Sequence, residues 1–278
     1  MRKIATVSLA LVLGLCLATS VSAYVGTPPA PGSGINGTVH DLGTVHNGMN
    51  YTANPIDMGS SATPLNRICI FCHAPHNTYR LSPANLGAPG GSGPVAPDAF
   101  DYLPLWNHEL TGNFVYNMYW NGPGAPLTGP KASQAIMNGG MEMGSVSLLC
   151  MSCHDGSVAV NAYGNTSQPV TSRSTGNKFI GAGYTIGLDN NMQNHHPIGF
   201  DYDAVYAVDT EIRNPDTAMF TTTSSVRDHL YNSQLECASC HSVHNTGNTG
   251  ESLLWRSDVN SELCLTCHAK GTYTAPLP

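Results

Sequence analysis

The chain has 278 residues, only 10% of them charged, and a net charge of −7. That acidity excludes a nucleic-acid binder, and 29 Gly with 19 Pro exclude an ordinary helix- or sheet-rich domain with one hydrophobic core. Residues 1–23 read as a secretory signal peptide: Arg2 and Lys3, an apolar run over 4–17, then Val21-Ser22-Ala23 before a cut at Tyr24. Loss of Arg2 and Lys3 takes the charge from −7 to −9. The apolar run is short for a membrane span, no later segment is long and apolar enough to be one, and Leu15 fits poorly before Cys16 for a lipoprotein box. Residues 24–278 are then a single mature domain. Residues 27–34 read as a flexible arm, and 84–97, 121–131 and 165–176 as exposed Gly/Pro/Ser-rich loops. The aromatic run 113–120 and the segment 157–163 are expected strands, and 225–235 an expected helix.

The pattern Cys-x-x-Cys-His occurs four times, with cysteines at Cys69 and Cys72, Cys150 and Cys153, Cys237 and Cys240, and Cys264 and Cys267. The histidines are His73, His154, His241 and His268. This is the attachment pattern of c-type haem. Positions three apart share one side of a helical turn, so both thiols reach one porphyrin, and the next residue gives its imidazole to the iron. Zinc sites also use paired cysteines, but a His directly after the second Cys in every copy is not their spacing. Eight of nine cysteines are used, and the ninth, Cys16, lies in the leader. An exported chain is thus left without a thiol for disulfides. Motif starts are 81, 87 and 27 residues apart, which makes the last two neighbours. Four covalent haems c would supply the buried apolar surface that the composition lacks. The chain without haem is therefore expected to be largely unstructured.

Eight further histidines compete for the second axial position of each iron: His40, His46, His76, His108, His195, His196, His229 and His244. His76 and His244 occupy equivalent places in a repeat, CIFCHAPHNT and CASCHSVHNT. Each is too close to its own motif His to reach round the same haem, and suits a neighbouring one. His196 is backed by Pro197, whose fixed φ stiffens the site. His40 precedes Asp41, which could orient the ring, and His46 is its rival. His195 reads as polar surface and His229 as structural, while His108 either ligates or packs beside Trp106. The methionines read as packing, and bis-His ligation as the rule, which leaves low-spin irons that carry electrons without binding a reactant. An enzyme needs an open iron, so the chain is read as no enzyme. Tyr102, Trp106, Phe114, Tyr116, Tyr119 and Trp120 read as a packed cluster rather than haem shielding. Asp201 and Asp203 have too few partners for calcium.

The segments VHDL (39–42), ICIFCHAPHN (68–77), PLWNHE (104–109), CMSCHDGSVAV (150–160), HHPIGFDY (195–202), ECASCHSVHN (236–245) and LCLTCHAK (263–270) together resemble exported tetrahaem c-type cytochromes with doubled CxxCH motifs. The OmcE-type extracellular filament subunits are similar. The resemblance implies a multihaem cytochrome c fold: mostly irregular coil, short helices at the motifs, a few short strands, and haem at the core. It implies His40, His76, His196 and His244 as distal iron ligands. It also implies a homopolymer in which one iron takes its distal His from an adjacent subunit, with His40 or His46 mechanically suited to that role. Other redox proteins or external acceptors would be the electron partners. A monomeric periplasmic shuttle is the competing reading.

Overall fold

Each attachment motif sits on a helical turn, and in all but the second that turn is nearly all the regular structure around it. The computed structural model describes residues 32–36, 38–42, 68–75, 105–111, 115–119, 136, 141–163, 179–180, 185–246 and 251–276. The leader, the loops expected at 84–97, 121–131 and 165–176, His46 and His76 lie outside the described residues, as do Tyr102, Phe114 and Trp120.

The first motif is a 3-10 turn, Cys69–Phe71. The second ends α1, Ser145–His154. That helix stops at Asp155-Gly156, where Gly156 takes φ +74°, the left-handed conformation that closes helices. A short helix α2, Tyr202–Tyr206, is capped by Asp201, which accepts from the Ala204 N–H at 3.1 Å. The third motif is α3, Cys237–Cys240, and the fourth closes α4, Glu262–Cys267. The expectation of short helices at all four motifs is met. In α3 and α4 the residue after the second Cys leaves the helix: His241 has φ −98°, ψ 122° and His268 φ −98°, ψ 126°. Extended backbone there swings each imidazole away from the turn that carries the thiols.

The strand expectations are corrected. Within 113–120, the described residues make one parallel bridge, Asn117 to Asn191, and within 157–163 one antiparallel bridge, His108 to Tyr163. The second segment cannot run straight, because Ala162 N–H turns back to Ala159 O at 2.7 Å. The described two-stranded sheet instead pairs β1, Phe200–Asp201, with β2, Gln234–Leu235, antiparallel, Phe200 opposite Leu235. The helix expected over 225–235 shrinks to a 3-10 turn, Arg227–His229. Asn232 and Ser233 both take positive φ, 53° and 63°, between Tyr231 and Gln234, which bond each other at 3.0 Å both ways. Two successive positive-φ residues make a type I′ hairpin turn, and no helix passes through one.

Apolar side chains gather in small clusters, each touching an attachment cysteine. Phe71, Val160 and Tyr163 pack beside Cys72. Met118, Met143, Met151 and Met192 pack with Leu148 beside Cys237, so these methionines are packing material as expected. Phe200, Tyr202, Phe220 and Leu235 pack beside Cys267. Among the described residues no helix is long and apolar enough to cross a membrane.

Two arginines tie the C-terminal half together with unequal weight. Arg227 chelates Asp203 with two bonds of 2.6 Å and reaches Asp216 at 2.9 Å. This explains Asp203, and Asp201 is the cap of α2, so neither forms part of a calcium loop. Arg256 is buried, 6% exposed, and donates to Met219 O at 3.0 Å, to Thr266 Oγ1 at 3.2 Å and to Thr274 O. Replacing Arg227 by Ala loses a solvated ion pair, about 1 kcal/mol. Arg256→Ala strands buried acceptors, and we predict a loss of about 3 kcal/mol, read as the shift in urea midpoint of the haem-loaded protein. Equal losses for the two variants would contradict this ranking.

Candidate haem-binding site

In three motifs the same hydrogen bond sets the turn: the His N–H donates to the carbonyl of the first Cys. The distances are 2.8 Å for His73 to Cys69, 3.1 Å for His241 to Cys237 and 2.9 Å for His268 to Cys264. The residue before the second Cys points inward in every motif; Phe71, Ser152, Ser239 and Thr266 are all buried. The hydroxyls bond locally, Ser152 to Leu149 O at 2.6 Å and Thr266 to Glu262 O at 2.9 Å, while Ser239 accepts from Glu236 N–H at 2.9 Å. With that edge buried, the two cysteines are left on the remaining side of the turn.

Three motif histidines each face a different non-motif histidine. His154 and His40 have ring centroids 6.0 Å apart, His73 and His244 6.1 Å, and His268 and His196 6.2 Å. The partners come from distant chain segments, and in each pair one member follows a Cys-x-x-Cys. Two imidazoles bonded to one metal from opposite sides, with metal–nitrogen bonds of about 2 Å, put their centroids about 6 Å apart. Burial pushes the pKa of His154 down to about 4, with His40 adding to the effect, and it lowers His40 and His268 as well. Neutral imidazole is the form that binds a metal. His154 also has a buried Nδ1 with no hydrogen-bond partner among the described residues. His196 Nδ1 lies 2.8 Å from Pro197 O and His241 Nδ1 3.3 Å from Leu253 O, which in each ring leaves Nε2 as the free donor atom. The donor set fits a haem iron, and among the described residues no three His, Cys, Asp or Glu side chains converge as a tetrahedral zinc site requires.

The other histidines are used differently. His108 is 1% exposed, with Nδ1 at 2.8 Å from Glu109 O and Nε2 at 3.1 Å from Ala159 O. A neutral ring has one N–H, so one of these carbonyls accepts it, and Cys153 Sγ lies 3.4 Å from Nε2. His229 is structural, as expected: Nε2 meets Ser224 Oγ at 3.0 Å and the ring lies 4.3 Å from Trp255. His195 is half-buried. Trp106 stands edge-on to His73 at 6.2 Å, so at least this member of the aromatic group does border a motif histidine.

Burial raises Cys72 and Cys267 to about 11 and Cys240 to about 12, and the thiolate is the reactive form. Cys150 and Cys237 lie within hydrogen-bond reach of each other, and the Cys150 thiol donates to Val146 O at 3.4 Å. The first cysteines of motifs two and three are therefore in contact.

Sequence reasoning missed the residue that joins those two motifs. Glu236 is 1% exposed. It accepts from Gly144 N–H at 2.9 Å and from Ser147 Oγ, and Ser147 Oγ accepts from Cys237 N–H at 3.0 Å. A Cβ on Gly144 would run into Glu236 Oε1, so only glycine admits this carboxylate. Glu236 and Ser239 also form a reciprocal capping box on α3. The available signal was an acidic residue directly before the motif, three residues ahead of the serine inside it. Burial lifts the Glu236 carboxyl to about 7 from 4.5, and the bonds from Ser147 and Gly144 hold it from rising further. The folded state thus keeps a proton that the unfolded chain releases near pH 4.5. This contribution is whole below that pH and is lost as pH rises to about 7, by up to about 3 kcal/mol. Burial lowers His108 and His229, which act in the opposite sense over an overlapping range, so the difference between proteins is the informative quantity. Stability of wild type minus E236Q, measured by urea titration, is predicted to fall between pH 4.5 and 7. A pH-independent difference would contradict the buried carboxyl.

Residues 229–272, which hold the third and fourth motifs, match the family model described as doubled CXXCH motif. No curated protein matches the chain. Two adjoining CXXCH motifs are covalent attachment sites for c-type haem, and this match supports haem-based electron transfer of the multihaem c-type cytochrome kind.

Proposed function

We propose that the chain carries four covalent haems c at its core, each iron held by histidine on both faces, and that it serves as a subunit of an exported, polymeric electron conduit. The observation that carries the ligand reading is the set of three opposed imidazole pairs, His40 with His154, His244 with His73 and His196 with His268, all near 6 Å. Bound haem iron supplies one-electron oxidation and reduction. The protein's own residues tether that group through eight cysteines, fill both axial positions and exclude other ligands from the metal. His76 is assigned to the iron held by His241, because the CHxxHN repeat makes the two segments equivalent and His244 already stands opposite His73. With both axial positions filled at every iron, no substrate reaches metal, and the chain is a conductor rather than an enzyme.

The filament reading rests on the resemblance over most of the mature segment and on the leader at 1–23. His40 faces a histidine of its own chain, so in this reading all four irons draw both histidines from one chain and subunits join without exchanging a ligand. External acceptors or other redox proteins would take the electrons. The alternative is a monomeric shuttle in the periplasm or at the outer surface, with the same haem ligation.

Three measurements test this. Mass analysis of the mature protein is predicted to show four added haems, with the visible spectrum of low-spin c-type haem; fewer haems would end the reading. His196→Ala is predicted to make one haem in four high-spin and able to bind CO when reduced, whereas the wild type binds none. Electron microscopy of the secreted fraction is predicted to show filaments, and a clean monomer would select the shuttle.

A further inference from the structure

Asn245 lies outside every attachment motif and every helix or strand, yet its side chain is fully buried. Its backbone is left-handed, φ +53°, a conformation that Asn tolerates better than most residues. Its polar groups reach three chain segments. The backbone N–H donates to Ser242 O at 2.8 Å and closes the turn that carries His244. Nδ2 donates to Gly34 O at 3.0 Å, and Gly34 N–H donates back to Asn245 O at 3.1 Å. Oδ1 accepts from Leu253 N–H at 2.9 Å.

Each of these connections continues to an imidazole. From Gly34 the chain turns at Thr38, whose N–H donates to Ile35 O at 3.0 Å and whose Oγ1 accepts from His40 N–H at 3.2 Å. The His40 ring then bonds the backbone of Val243, two residues before Asn245. Leu253, held by Oδ1, presents its carbonyl to His241 Nδ1 at 3.3 Å. His244 is the preceding residue and stands opposite His73. The arm expected at 27–34 is thus pinned at its described end.

We infer that Asn245 is a positioning residue shared by three axial histidines, His40, His241 and His244, which serve three different attachment motifs. This rests on the ligand reading proposed above. One amide orients His241 through Leu253, brings His40 in through Gly34, and shapes the turn that aims His244. Coupling of this kind is chemical economy: two donors and two acceptors in one buried residue replace separate supports at three sites.

The test compares variants of the full haem-loaded chain by spin state and CO binding. His40→Ala sets the reference and should expose one haem in four. Asn245→Asp keeps the left-handed turn and the Oδ1 acceptor but turns the donor facing Gly34 O into an acceptor. It should also expose one haem in four and leave the other three low-spin. Asn245→Gly keeps the backbone and removes both side-chain bonds, and should in addition shift the midpoint potential of a second haem. If His40→Ala leaves every haem inert to CO, the ligand reading fails. If His40→Ala exposes one haem while both Asn245 variants behave as wild type, or expose all four haems together, the shared positioning role is overturned. Should neither Asn245 variant mature, hydrogen exchange on the wild type decides. Slow exchange of the Gly34 and Leu253 amides supports the role, and exchange at free-loop rates overturns it.

Discussion

At His241 and His268 the chain abandons helical geometry one residue after the second cysteine, and much else in the molecule follows from that departure. Two thiols must share one side of a turn, which requires helix. In these two motifs the imidazole that follows leaves that turn and ends the helix, whereas His154 is still the last residue of its own helix. The motif His N–H still bonds the first cysteine's carbonyl, so the departure is made on a closed, rigid turn. Helices of four and six residues, Cys237–Cys240 and Glu262–Cys267, are too short to be stable alone. They hold because the residue before each second cysteine is buried and because outside groups clamp the ends.

Those clamps are polar, and this is where the chain departs most from an ordinary domain. Glu236 joins the second and third motifs through Gly144 and Ser147, and Arg256 joins the fourth to residues 219 and 274. A buried carboxylate and a buried guanidinium are costly unless bonded, and each here is bonded at several atoms. The apolar clusters are small, and only one of them, with Met151 beside Cys237, spans two motifs. Directional bonds also hold one motif against the next, and they bring the thiols of Cys150 and Cys237 into contact.

The histidines divide by what their rings face. His108 and His229 pack against polar groups and aromatics of the protein. The rings of His40, His196 and His244 stand opposite a motif histidine, even where one ring nitrogen bonds backbone. The difference is one of long-range placement. His40 and His154 are far apart in sequence, and the segment carrying His40 reaches its place through the bonds between Gly34 and Asn245.

Sequence alone determined the chemistry: the i, i+3 cysteines followed by histidine, four times over, admit few readings, and they predict the short turns because the constraint is local. It also made the third and fourth motifs neighbours and singled out His40, His76, His196 and His244 as candidates, since a CHxxHN repeat, a His-Pro step and a His-Asp step are visible without a fold. Tertiary structure decided what depends on distant partners. The strands expected at 113–120 and 157–163 became single bridges, because each found one backbone neighbour rather than a ladder. The helix expected at 225–235 gave way to the Asn232-Ser233 hairpin turn. Which histidine faces which, and why Glu236 is buried, emerged only from packing. A carboxylate's burial is set by the donors that surround it, and Gly144 and Ser147 lie about ninety residues away in the chain.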